Sequence, residues 1–399
     1  MSALQGRELS GSGHGSYLIA GAPWKRVEGL PEIRKIQDGR KKTITQASCL
    51  KKTRVLRKAN VRRNVSVVPG NTTMTTDEYR RPLLGIGSCL AGNAVRYDGD
   101  SKMPNAHVRE ICTHFDTRAF CPEMAIGLGT PRPPIHLVGT RHAVRVVDVA
   151  THTKDYTCQI QSYARQVLEQ APQLCGYILV QGSPSCGYGE VKRYSESGEH
   201  LASDQNGIFA QALADSDPLL PLADDDHLVE PGQRESFVHR ARAYHDWKML
   251  LQRGLTPQRL IAFYSRYKYL VMAHHHPGYK ALGPMLAHAG RQAIDELASE
   301  FIGTLMAALS HQATRRSHSN VLFHLAGYLR RDATAVQRQQ LSALIEAYRT
   351  GKVPLAEPLT LLKQHFAKFP NEYITAQVYL DLCTGTTQPE PVQPDAVRR

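Results

Sequence analysis

Three cysteines of this 399-residue chain sit where an apolar run gives way to a tight loop of small residues. Cys186 lies in Gly182-Ser183-Pro184-Ser185-Cys186-Gly187, just after Tyr177-Ile178-Leu179-Val180. Cys89 follows Leu83-Leu84-Gly85-Ile86-Gly87-Ser88, and Cys121 stands between Ala119-Phe120 and Pro122-Glu123. Thiolates delivered by three separate loops could hold zinc with an open fourth position, or a [4Fe–4S] cluster in which one iron has no protein ligand. Either leaves a Lewis acid facing a substrate. The plain alternative is a set of small core residues. Cys112, Cys158, Cys175 and Cys383 read that way, in helical or apolar settings without loop-forming neighbours. No CxxC pair occurs among the eight cysteines, which removes the usual zinc ribbon, the thioredoxin-type motif and ferredoxin-like clustering.

Glu123, two residues beyond Cys121, would put a carboxylate beside such a centre, suited to deprotonating water. Its bland reading is a surface turn residue. Ser183 and Ser185 either shape a turn around Pro184 or donate hydrogen bonds to a substrate. Gly85-Ile86-Gly87 opens like a dinucleotide-binding turn, but Leu90 stands where the third glycine belongs and no acidic partner follows at the right distance. His274-His275-His276 offers imidazoles, yet adjacent histidines on a helix diverge, so no metal is expected there.

The elements that must position the cysteines follow from the surrounding pattern. Short strands ending at Ser88-Cys89 and near Cys121, a helix over about 104–115, an edge segment at 145–149, a helix over 153–171 and a strand over 176–181 alternate up to a helix starting at Gly207. The face Tyr156, Ile160, Tyr163 and Val167 of the helix over 153–171 belongs to the core. This order predicts an α/β catalytic domain built on an open, mainly parallel sheet, with ligands gathered beyond the carboxyl ends of the strands. After Asp224-Asp225-Asp226 and Pro231-Gly232 every sizeable segment reads as helical. Thr256-Pro257 caps a helix through about His274, and further helices fit 288–310, 318–331, 334–350 and 357–367. The expected organisation is thus a basic, mostly disordered extension over 1–80, a catalytic domain over 81–239, an all-α domain over 240–384 and a loose tail over 385–399.

Charge divides along the same lines. Residues 1–80 carry 16 Lys+Arg against 6 Asp+Glu (+10), residues 81–239 carry 13 against 19 (−6), and residues 240–399 carry 20 against 11 (+9), which sum to the net +13. An acidic core between basic flanks suits an enzyme with polyanion-binding segments. Arg259, Arg266 and Lys268, on the first helix of the basic half, are the candidate nucleic-acid contacts. No apolar run approaches the ~20 residues that span a bilayer, and the N-terminus lacks the apolar core of a secretory signal. A cytoplasmic protein with reduced thiols and no membrane partner is expected.

The motif order Ser88-Cys89-Leu90-x-Gly92, Arg96-Tyr97-Asp98-Gly99, Cys121-Pro122-Glu123, Ser183-Pro184-Ser185-Cys186-Gly187 and Gly207-Ile208-Phe209-Ala210 resembles the DUF523 family of thiouracil desulfidases over about 81–225. Arg266-Tyr267-Lys268-Tyr269-Leu270, Asn320-Val321-Leu322-Phe323-His324 and Tyr348-Arg349-x-Gly351-Lys352-Val353-Pro354 resemble DUF1722. The fused pair resembles bacterial desulfidases that remove sulfur from 4-thiouridine in tRNA. The resemblance implies a [4Fe–4S] cluster on Cys89, Cys121 and Cys186 with one open iron, Glu123 and Ser183 as the catalytic pair, and Ser88, Tyr97, Asp98 and Ser185 around the substrate. It implies hydrolytic, non-redox release of sulfide. The alternatives are a desulfidase of free thiouracil or thio-UMP, a zinc hydrolase, and a non-catalytic cluster-bearing protein that binds tRNA or regulates.

Overall fold

The computed structural model describes residues 81–287 and 293–383. All of these fall within one compact unit, Ser66–Arg399. The expected extension over 1–80 and tail over 385–399 lie outside the described residues.

Strands β1 (Leu83–Gly87), β2 (Asp116–Phe120), β5 (Leu174–Leu179) and β8 (Leu222–Asp224) form a parallel sheet in the order β2-β1-β5-β8. Every residue of β5 is buried, as is β1 after Leu83, which is the continuous apolar run of a sheet covered on both faces. β2, at the edge, exposes all but Phe120. Helices α1 (Ala106–His114), the single turn α2 (Pro122–Ala125), α3 (Thr157–Gln170) and α4 (Ile208–Ser216) lie between the strands. Asn105 starts α1 by accepting the Val108 amide at 2.9 Å. The α3 face buries Ile160, Ala164 and Val167, and Phe209 of α4 meets the Tyr177 ring edge-on at 5.5 Å.

A second sheet of order β4-β3-β6-β7 joins β3 (Ile135–Thr140), β4 (Ala143–Asp148), β6 (Val191–Tyr194) and β7 (His200–Gln205), with β3 and β6 parallel and the two hairpins antiparallel. The expected edge segment at 145–149 is its strand β4. The other three strands escape sequence reading: β3, Ile-His-Leu-Val-Gly-Thr, is interrupted by His136 and Gly139, β6 has only four residues, and β7, His-Leu-Ala-Ser-Asp-Gln, buries none of its residues fully.

The remainder is helical: α5 (Pro231–Gln252), α6 (Pro257–His274), α7 (His276–Ala287), α8 (Ile294–Leu309), α9 (Arg315–Ala326), α10 (Ala335–Arg349), α11 (Ala356–Lys368) and α12 (Glu372–Thr375). Thr256 caps α6 as its sequence predicts, accepting the Arg259 amide at 3.2 Å. Thr314 and Ser317 form a capping box that starts α9 three residues before its expected beginning. The boundary expected at 239/240 falls inside α5. Phe237 and Ala241 of that helix pack on Gly176 of β5, where a methyl group would stand 3.4 Å from each and 2.9 Å from Leu84. Absence of a side chain at Gly176 lets the helix lie close to the sheet. The change in charge along the chain marks no break in the packing.

Candidate active site

β2, β1 and β5 are neighbours, so the loops leaving their carboxyl ends meet. Cys89 follows β1 by two residues, Cys121 follows β2 directly, and Cys186 sits in the loop after β5. All three line one cavity of about 440 Å³ with Ser88, Tyr97, Glu123 and Ser183.

Backbone hydrogen bonds fix the Cys186 loop. The Val180 amide donates to the Cys186 carbonyl at 3.0 Å, and the Gly187 amide donates to Ser183 at 2.7 Å. The first amides of α4 reach back to it, from Ile208 to Pro184 at 3.2 Å and from Phe209 to Ser185 at 2.8 Å. A methyl at Gly207 would collide with the Ser185 carbonyl and lie 2.8 Å from the Cys186 nitrogen. Gly207→Ala should therefore displace this loop at a cost of ~1–3 kcal/mol. A thermal melt no lower than that of the parent would contradict this close fit.

Glu123 is buried beside the thiols. The Cys121 thiol donates to its Oε2 at 3.3 Å, and the Ser185 hydroxyl donates to its Oε1 in a very short contact. Ser183 Oγ lies 3.1 Å from Ser185 Oγ, accepts the Cys186 amide at 3.2 Å and is 3.4 Å from Cys186 Sγ. Ser183, Ser185 and Glu123 thus form a hydrogen-bonded chain from the cavity wall to the carboxylate.

Burial, and then the Glu123 carboxylate, push the Cys121 thiol up to about 12 and raise Cys89 as well. Cys186 is raised further by burial, by Glu123 and by the other two cysteines. Such thiols stay protonated unless a cation arrives to replace their protons, and three soft sulfur donors are the set that iron–sulfur clusters or zinc select.

The other residues expected at the site divide. Ser88 lines the cavity, its Oγ accepting from Asn93 at 2.9 Å, and Tyr97 lines it with half of its surface exposed. Asp98 is not among the lining residues; it accepts the Asp100 amide at 3.1 Å and pairs with Arg96 at 3.3 Å, shaping the loop. Ser185 is fully buried behind Glu123, where it positions the carboxylate instead of facing a substrate. Arg259 caps the end of α5 through the Arg253 and Gly254 carbonyls, and Arg266 pairs with Asp246 at 3.3 Å. Lys268 borders a shallow hollow with Tyr264, Tyr279, Lys280 and Tyr373. Of the cysteines expected in the core, Cys175 is buried, Cys112 is half-buried and Cys158 is exposed, while the Cys383 side chain lies outside the description.

Sequence reading missed Arg132 and Lys102. Arg132, 6% exposed, donates to the Val95 and Gly129 carbonyls at 2.9 Å and approaches Glu123 Oε1 at 3.9 Å. Its signal was an arginine set among Pro131, Pro133 and Pro134, a loop stiff enough to hold a buried guanidinium. Lys102 lines the cavity while paired with Asp225 at 2.7 Å, a contact across 123 positions that no local pattern announces.

A parallel sheet that gathers three thiols and a buried carboxylate at its carboxyl edge defines a sulfur-ligand centre of the α/β class. Residues 84–225 match the family model for 2-thiouracil desulfurase, and residues 268–383 match DUF1722, described as a protein of unknown function. The chain belongs to the proteins that join a 2-thiouracil desulfurase domain to a DUF1722 domain. It is 38% identical over 149 residues to the uncharacterized protein YbgA of Escherichia coli (strain K12), covering 37% of this chain and 88% of that one. It is 27% identical over 139 residues to the uncharacterized protein YbbK of Bacillus subtilis (strain 168), covering 32% and 87%. Among solved structures it is similar to a [4Fe-4S]-dependent thiouracil desulfidase, TudS, at 28% identity, 37% of this chain, 94% of that chain and a TM-score of 0.31.

Proposed function

We propose that the chain desulfurates 4-thiouridine in tRNA, giving uridine and sulfide. The observation that carries the chemistry is the meeting of Cys89, Cys121, Cys186 and Glu123 on one cavity within the region matched by the desulfurase family. The all-sulfur donor set suits a [4Fe–4S] cluster with one iron free of protein ligand. When bound, that group supplies a Lewis acid for a thiocarbonyl sulfur.

The chain's own residues do the rest. A deprotonated, ligating Cys121 has no proton to donate, which leaves Glu123 Oε2 available to take one from water. Ser185 and Arg132 hold Oε1, so the carboxylate keeps its aim. Ser183, bonded through Ser185, passes protons between cavity and carboxylate. Water adds at the ring carbon, the carbon–sulfur bond breaks, and the carbonyl forms as hydrogen sulfide leaves: one water in, one sulfide out, with no change in oxidation state. Reduced thiols, and a group of this kind, fit a cytoplasmic setting.

A cavity of about 440 Å³ suits a pyrimidine nucleotide and excludes a duplex, so the target base must be turned out of its stack. Tyr97 offers it a ring, and Arg96 and Lys102, paired with Asp98 and Asp225, border the cavity. The −6 of residues 81–239 opposes an intact polyanion, and the +9 of residues 240–399 offsets it. Arg259 is spent on the end of α5, while Arg266, half exposed in its pair with Asp246, and Lys268 and Lys280 beside Tyr279 and Tyr373 are the tRNA contacts. The same small cavity also favours a second reading, in which free thiouracil or thio-UMP is the substrate.

Initial rates on thiolated tRNA and on thio-UMP, measured with the full chain across a salt series, separate the two. The tRNA rate should exceed the thio-UMP rate and fall with salt. Lys268→Glu with Lys280→Glu should weaken tRNA turnover, flatten its salt slope by ~0.7–0.9 per lost phosphate contact and spare thio-UMP. Equal loss on both substrates, or no preference for tRNA, would favour the free-pyrimidine reading.

A further inference from the structure

The helical half buries a second constellation of ligating side chains. Glu235 and His239 stand one turn apart on α5, His274 ends α6, and His318 lies near the start of α9. The three histidines are 3%, 6% and 3% exposed. One ligand atom each from Glu235, His239 and His274 lies within 4.8 Å of the others. His239 Nδ1 is 2.8 Å from His274 Nε2 and 3.9 Å from Glu235 Oε1. His318 Nε2 is 3.5 Å from that same oxygen.

The remaining ring nitrogens indicate where the protons are. His274 Nδ1 meets the His311 carbonyl at 2.6 Å, to which it can only donate, so its Nε2 carries a lone pair. His318 Nδ1 lies 2.9 Å from the Tyr379 hydroxyl, which itself leans on the His318 carbonyl at 3.5 Å. His318 either accepts the tyrosine proton at Nδ1 and gives Nε2–H to Glu235 or, as a metal would require, donates Nδ1–H outward and aims an Nε2 lone pair inward. Metal-bound histidines show this habit, giving their second N–H to a carbonyl or another fixed acceptor. Without an ion His239 Nδ1–H donates to the His274 Nε2 lone pair at 2.8 Å; a cation would take the place of that proton among the two nitrogens and the carboxylate. Ligand atoms around zinc, with bonds of about 2.0–2.1 Å, lie roughly 3.3 Å apart, and His239 Nδ1 stands 2.8 Å from His274 and 3.9 Å from Glu235; His318 lies outside that group of three, with its Nε2 3.5 Å from Glu235 Oε1.

We propose that Glu235, His239 and His274, with His318 beside the carboxylate, form a structural site for a divalent transition ion with the coordination habits of zinc. The ion would tie α5 to α6, with α9 alongside through His318. Because α5 lies on β5, the strand that leads into the Cys186 loop, the site would brace the helical half against the catalytic sheet.

Metal analysis of the full chain tests this. Wild-type protein stripped with EDTA should take up about one zinc, with its melting temperature rising by roughly 5 °C at saturating metal. Cys186→Ala should still take up that zinc. His239→Gln with His274→Gln should bind it at least tenfold more weakly while iron content stays at the wild-type level. Stripped wild-type protein that takes up no zinc would overturn the site in favour of a hydrogen-bonded His–Glu network that needs no ion. So would zinc that disappears with Cys186→Ala and survives the histidine changes, since it would then belong to the thiols.

Discussion

Cys186→Ala is expected to yield a folded protein that retains little iron and releases no sulfide from a thiolated uracil. Cys186 is buried in a loop held by Val180, Gly187 and the first turn of α4, and its thiol is one of three that share the cavity. Alanine removes one sulfur atom and leaves those backbone hydrogen bonds untouched, so the fold should survive at a cost of ~1 kcal/mol. A cluster held by two thiolates is poorly retained, and Cys89→Ala and Cys121→Ala should behave alike. Cys112→Ala, on α1, and Cys158→Ala, on α3, are the controls and should keep both iron and turnover. Full iron content in Cys186→Ala, measured on anaerobically prepared protein, would remove Cys186 from the ligand set.

Glu123→Gln should separate binding from chemistry. Glutamine keeps the size and can still accept from Ser185, but it cannot take a proton from water. Iron should stay at the parental level while turnover falls ~10²–10⁴-fold, the usual cost of losing a general base. Ser185→Ala, which leaves the carboxylate but removes its buried donor, should cost less than Glu123→Gln. A Glu123→Gln enzyme with near-parental turnover would reduce Glu123 to a structural residue.

The catalytic half was the more legible because its signals are local. A buried strand running into a Ser/Pro/Gly loop shows itself in six or eight residues, and the parallel order then brings three such loops together without further instruction. What joins distant parts of the chain was not readable. Asp98 and Ser185 carry the right chemistry for substrate contact, yet one is spent on its own turn and the other is buried behind Glu123. Arg259 and Arg266 look like free charges on a helix until the end of α5 and Asp246 are brought beside them. The histidines teach the same lesson from the other side. His274, His275 and His276 do diverge, with His275 stacked on His311 at 3.9 Å and His276 near Tyr279, but His274 finds partners 35 and 39 positions upstream on α5. Glu235 and His239, spaced to share one face of a helix, were a signal available in the sequence and not read there.

Product analysis tests the central claim most directly. The anaerobically prepared full chain would be given a thiolated uracil nucleotide and thiolated tRNA in water enriched in heavy oxygen, with no added reductant. The account predicts one sulfide for each uridine formed and heavy oxygen in the new ring carbonyl. Sulfide release that requires a reductant, a ring oxygen that does not come from water, or intact thiouridine after prolonged incubation with protein of full iron content would contradict it.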